Sequence, residues 1–129
     1  MQYRSTMHII KQFFYLSNLV LFIFYLYPGS ILGYFLYGNT NIQPQLTRDF
    51  LVSSNHVYVF FIISVIGLVA FKDKLKNIII YLLFISIVLE VCHLFIPERG
   101  FEIADLFGNI MGVLISILIL QLIDKGRQK

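Results

Sequence analysis

Charge is what this sequence has least of. Aspartate, glutamate, lysine and arginine make up 13% of its 129 residues, against 58% hydrophobic residues. A soluble domain carries about 25% charge, because its surface must meet water. The shortfall excludes a water-soluble globule. Cysteine is almost missing too. Cys92 stands alone, so no internal disulfide can form and the fold needs no oxidising compartment. Its apolar neighbours mark it as a small buried hydrophobe. The net charge of +3 comes from lysines and arginines scattered over ends and loops. No basic stripe is present, which excludes a nucleic-acid partner. There is no internal repeat, no low-complexity tract and no serine in a nucleophile-elbow context.

What the chain does have is four apolar runs, each near the roughly 20 residues that a membrane-spanning helix needs. They extend over about Phe13 to Leu36, Val52 to Phe71, Asn77 to Ile96, and Ile103 to Ile123. The expected fold is all-α: a four-helix transmembrane bundle, one domain over 1–129, with the lipid bilayer as its first partner and no separate soluble module. The first run is too long for the apolar core of a signal peptide, and no small-residue cleavage site follows it. Pro28 and Gly29 should kink or end its helix. The stretch Tyr37 to Leu51 has turn formers without apolar period and reads as an irregular loop. Tyr25, Tyr27, Tyr34, Tyr37, Tyr58 and Tyr81 sit near segment ends and read as an interfacial aromatic belt.

The loops alternate in charge. Arg4, Lys11, Lys72, Lys74, Lys76, Lys125, Arg127 and Lys129 fall on one side of the expected topology, leaving only Arg48 and Arg99 on the other. Because cytoplasmic loops collect lysine and arginine, both termini are expected in the cytoplasm and the protein in the bacterial inner membrane.

The few remaining charges gather where the third and fourth runs meet. Glu90, His93, Glu98, Arg99, Glu102, Asp105 and Asn109 lie there, under this topology at the outer surface. Counted at 1.5 Å per residue from Ile96 and Ile103, Glu90 and Asn109 each lie roughly 9 Å inside their helices. Glu90 and His93 share a face as i and i+3, and Ser86 extends it. Asp105, Asn109, Gly112 and Ser116 share a face of the last helix. Ala104, Gly108, Gly112 and Ser116 overlap it as a small-residue stripe for helix packing. His56, at the start of the second run, can reach the same cluster. An intramembrane acid is a functional candidate by default. The expected site therefore has Glu90, His93 and Asp105 in catalytic roles, with Glu90 or the Glu90–His93 pair moving protons. His56, Arg99, Glu102 and Asn109 are the expected binding residues. The Arg99 guanidinium fork suits a phosphate or carboxylate.

Each residue also has a plainer role. Asn109 can act as an interhelical hydrogen-bond bridge, and Arg99 can sit among weak loop ion pairs. Glu90-x-x-His93 has the spacing of carboxylate-bridged metal sites, but those repeat the motif on a second helix and this chain has it once. Glu90, His93, His56 and Asp105 could complete a mononuclear centre. With the ligand count only just met, no metal and no cofactor is expected.

The run Val88–His93, then Pro97, Glu98, Arg99, Gly100, Phe101, Glu102, Ile103, Ala104, Asp105 and Leu106, then Asn109 to Gly112 resembles the signature of VanZ-like membrane proteins. His56 and Tyr58 resemble that family's second motif. The likeness covers Ser54 to Gly112. Ser54 and Asn55 depart from it, standing where the family often has Asp-Lys. The resemblance implies a four-span bacterial envelope protein. Its expected role is in envelope or exopolysaccharide metabolism or in resistance to glycopeptide-type antibiotics, with a lipid-linked or peptide ligand. It brings no agreed reaction, so whether the chain is an enzyme stays open. The alternatives are a non-enzymatic assembly or binding subunit, which could act as an oligomer or with a membrane partner, and a small proton-coupled transporter.

Overall fold

The computed structural model describes residues 2–127, which are all-helical with irregular connections. Lys129, counted above in the basic tail, lies outside the described residues. The order is α1 (Gln2–Leu26), α2 (Ile31–Tyr37), α3 (Ser54–Ala70), a 3-10 turn (Lys72–Lys74), α4 (Leu75–Cys92) and α5 (Ile103–Arg127). Three helical stretches are long and apolar enough to cross a membrane: Arg4–Leu26, Lys72–Cys92 and Ile103–Arg127. The shorter α3 is apolar as well. By helix length and composition the chain is a membrane protein.

The first expected span, 13–36, is two helices. Helix α1 starts earlier, at Gln2, since the polar residues before Phe13 form helix as readily as apolar ones. It stops at Leu26, because Pro28 has no N–H to give the carbonyl four residues back and its ring clashes there. Gly29 then takes φ 82°, a turn open to glycine. Ser30 restarts the chain as the cap of α2, its Oγ accepting from Gly33 N at 2.9 Å. Gly38 closes α2 at φ 66°, and residues 38–53 follow without regular structure.

The third span also ends early, at Cys92 and not Ile96. His93, Leu94 and Phe95 donate backbone hydrogen bonds only three residues back, to Glu90, Val91 and Cys92. Pro97 disfavours helix in the residue before it. Leu94 and Phe95 are apolar but stay exposed, so hydropathy overran the helix. Glu90 consequently lies in the last turn of α4, about 3 Å of rise from its end, and not two turns deep.

Helix α3 packs on α1, α4 and α5, most extensively on α5. The small stripe makes this possible. A Cβ at Gly112 would sit 2.5 Å from Val57 O, and one at Gly108 would sit 2.7 Å from Ser53 O. Missing side chains let the two backbones touch. Phe60, Leu82, Leu89 and Val113 lie in the core between the helices. Only 22–33% of each spanning window is buried. Leu16, Ile62, Phe84 and Leu118 face outward, as they should where lipid is the solvent.

Candidate functional site

Four helix ends meet at one end of the molecule: the C-termini of α1 and α4 and the N-termini of α3 and α5. Tyr25, His56, Glu90, His93 and Asn109 are buried there, and Asp105 is partly exposed. The centre is Asn109. Its Nδ2 donates to Ser86 O at 3.0 Å. A carbonyl only accepts, so this bond fixes which way the amide points. Asn109 Oδ1 then accepts from Tyr25 OH at 2.8 Å and lies 2.9 Å from His56 Nδ1. The oxygen has no proton to give, so His56 Nδ1 carries one and donates. The other ring nitrogen, Nε2, faces Asp105 Oδ2 at 3.4 Å.

The same logic applies to His93. Its Nε2 is 2.9 Å from Tyr25 O and must donate to it. Its Nδ1 lies 3.2 Å from Glu90 Oε2. That distance suits an ion pair, yet Oε2 is buried without a well-directed hydrogen bond. A neutral ring facing an ionised carboxylate would set lone pair against lone pair, so one proton belongs between them, on the imidazole or on the acid. Glu90 Oε1 accepts from Glu102 N at 3.0 Å, at the start of α5. The Tyr25 ring stacks on His93, with centroids 5.6 Å apart, and meets His56 edge-on at 5.2 Å.

Several expected roles are altered. Arg99 Nη2 donates to Phe24 O at 2.9 Å and its Nε to Tyr27 O at 3.3 Å. Phe24 O is the carbonyl that Pro28 leaves without a helical donor, so Arg99 caps α1 and does not reach into the site as an anion receptor. Burial draws its guanidinium below the ordinary arginine value, against the opposing pull of Tyr25, Asp105 and Glu90. Glu102 contributes its backbone N–H, while the residue itself is exposed. Gly108 and Gly112 pack on α3, and Ser116 donates to Val113 O at 2.6 Å within its own helix.

Ser54 and Asn55 lie outside the cluster and hold the long loop. Asn55 Nδ2 donates to Pro44 O at 2.7 Å and its Oδ1 accepts from Leu46 N. Ser54 Oγ donates to Thr47 O at 2.8 Å, and Asp49 Oδ1 accepts from Ser54 N.

Tyr25, expected from its position to lie in an interfacial belt, is instead a buried member of the site. A signal for it existed. Phe14, Asn18, Leu21 and Tyr25 are all buried at spacings of four, three and four, an inward stripe. Tyr81 departs from the belt as well, donating to Asn18 Oδ1 at 2.6 Å.

Of the metal-ligand candidates, His56, Glu90 and Asp105 each offer one ligand atom, and these lie within 4.8 Å of one another. His93 is not in that group. Comparison with protein-family models, with curated proteins and with solved structures finds no match for this chain. The chemistry of the site rests on its own geometry: a largely buried, hydrogen-bonded acid–imidazole cluster with Asp105 as its partly exposed member.

Proposed function

We propose that this chain is a VanZ-like, four-pass protein of the bacterial inner membrane with both termini in the cytoplasm. In this reading its outward-facing polar cluster receives a polar group of a lipid-linked or peptide envelope ligand. It thereby serves envelope or exopolysaccharide metabolism or resistance to glycopeptide-type compounds. One observation carries the reading: titratable side chains from α3, α4 and α5 and a tyrosine from α1 gather at one end, while Lys11, Lys72, Lys74 and Lys76 lie toward the other. Buried ionisable groups in a membrane protein mark function, and lysine marks the cytoplasmic side. With 17 residues, α3 rises about 26 Å and is at the lower limit for a span.

The test has two arms. In a Cys92→Ala background, a cysteine at Asn41 should react with a membrane-impermeant maleimide on intact cells, and one at Lys74 should not. The reverse pattern overturns the orientation. In a host where deletion alters teicoplanin susceptibility or surface polysaccharide, Glu90→Ala and Asp105→Ala should reproduce the deletion while inserting at normal levels. Full function in both removes the site.

A second reading draws on the number of site groups bonded to backbone. Asn109, Arg99 and His93 hold Ser86 O, Phe24 O and Tyr25 O, and Glu90 holds Glu102 N. Such a network can specify helix packing in an assembly subunit. On that reading Glu90→Gln keeps function, and Gly108→Leu and Gly112→Leu abolish it.

A further inference from the structure

We propose that His56, Glu90 and Asp105 bind one first-row divalent cation, with Zn2+ the best match. The inference concerns this cluster alone and holds whichever side of the membrane the cluster faces.

Geometry comes first. The three ligand atoms lie within 4.8 Å of one another. The edge from His56 Nε2 to Asp105 Oδ2 is 3.4 Å. Tetrahedral zinc with bonds of about 2.0–2.1 Å to nitrogen and oxygen has ligand–ligand edges of roughly 3.3–3.4 Å. One edge already has the required length, and torsions of the Glu90 and Asp105 side chains can shorten the others.

A second observation is independent of that spacing. Glu90 is fully buried, and its Oε2 lacks a hydrogen-bond partner. A buried orphan oxygen on a carboxylate calls for a counter-ion. His93 Nδ1 lies near it at 3.2 Å but off the hydrogen-bond direction.

The third strand is the histidine tautomer. Ser86 O fixes Asn109, and Asn109 Oδ1 fixes the proton on His56 Nδ1. Nε2 is thereby left to present a lone pair toward Asp105. A metal-bound histidine is held in the same way, with its second ring nitrogen donating to a fixed acceptor. Two carboxylates and an imidazole lone pair converge in this largely buried site, and the proton shared by Glu90 and His93 offsets only one of the two acids. A divalent cation among them neutralises both acids, which one proton on His56 would not. One imidazole with two carboxylates suits Zn2+ better than Mg2+ or Ca2+, which favour oxygen ligands alone. Three protein ligands leave a position for water or a ligand oxygen, next to the partly exposed Asp105. His93, a member of the alternative mononuclear set weighed from sequence, turns its Nε2 to Tyr25 O and its Nδ1 to Glu90.

The test uses the full chain in detergent micelles, stripped with chelator and titrated with Zn2+ alone. Wild type should retain about one zinc per chain after desalting, as a three-ligand site holds one ion. Asp105→Asn and Glu90→Gln should each weaken binding by more than about 100-fold, and Asn109→Ala by the roughly 10- to 100-fold typical of an outer-shell change. His8→Ala and Cys92→Ala should bind as wild type. Wild type that retains no zinc, or Asp105→Asn and Glu90→Gln that bind normally, overturns the site. Loss of binding on His8→Ala overturns it as well. Should the acid variants unfold, Co2+ titrated into wild type decides. Visible bands of a four- or five-coordinate nitrogen–oxygen site support the proposal, and a spectrum like that of aqueous Co2+ refutes it.

Discussion

The two ends of the molecule handle charge in opposite ways. At one end Glu90 and His93 are almost wholly buried and contact groups on other elements. At the other, Lys11, Lys72 and Asp73 border an open cleft with Arg4, Met7 and His8. Lys11 Nζ lies 5.4 Å from the Phe71 ring centroid, and Asn18, whose Oδ1 accepts from Tyr81 OH at 2.6 Å, bridges only α1 and α4, whereas Asn109 links α5 to α1, α3 and α4. Exposed charge costs little to keep, and its placement reports orientation. Buried charge is costly unless other groups fix it, and its placement reports a site. The ends differ in tolerance for the same reason: one depends on interlocked partners, the other on solvent.

Substitutions at packed and open positions test that contrast, and the largest effect is expected where backbones touch. Gly112→Leu drives side-chain atoms into Val57 O and Phe61 N. It should destabilise the protein by about 3 kcal/mol or more, at the upper end of overpacking costs. Gly126→Leu, with nothing within 4 Å of its Cβ position, should stay within about 0.5 kcal/mol. Unfolding midpoints in detergent measure both, and equal effects would erase the distinction between the ends. Asn109→Leu is next. It removes the amide from Ser86 O and leaves Tyr25 OH and His56 Nδ1, 3.0 Å apart, only each other, and should cost about 1–3 kcal/mol, the range for a buried polar group that loses its partner. A loss near the roughly 0.6 kcal/mol average of interhelical hydrogen bonds in membranes would mean that water reaches the cluster.

These residues also show what a chain of letters can and cannot reveal. The apolar runs, the breaking dipeptide Pro28–Gly29 and the small stripe Gly108–Gly112 were legible, because each acts through its own local chemistry. The grouping of Glu90 with His93 was legible from helical spacing. Arg99 was not. Its partners are Phe24 O and Tyr27 O, far back in sequence, and backbone carbonyls carry no identity. Tyr25 was masked by its position near a span end, where tyrosine normally faces the interface. Glu90 lies nearer its helix end than the apolar run implies, because Leu94 and Phe95 extend that run past the end of α4 at Cys92. Hydropathy reports what lipid will accept, and hydrogen bonding decides where a helix stops.

Arg99 supplies the next test. If it caps α1, Arg99→Gln should cost about 1–2 kcal/mol, the scale of a charge-assisted hydrogen bond. Hydrogen exchange should quicken at the amides of 25–27 while the packing of α3 on α5 stays intact. A variant with unchanged exchange there, but weakened ligand response, would return Arg99 to the role of anion receptor.

The smallest effect belongs to the basic end. Lys74 is exposed and starts the turn into α4, and Lys76 is exposed on the first turn. Replacing both with glutamine should move stability by no more than about 0.5 kcal/mol, as surface changes do. Its consequence should appear in topology, since on the proposed orientation these lysines would help retain the α3–α4 connection in the cytoplasm. A cysteine at Asn41 should then label from outside in a smaller fraction of molecules than in the parent. If stability falls as far as in Asn109→Leu, the lysines hold structure as well as orientation, and the two ends differ in degree only. If neither stability nor labelling moves, the orientation is set elsewhere, and Arg4 and Lys11 ahead of the first span become the residues to change.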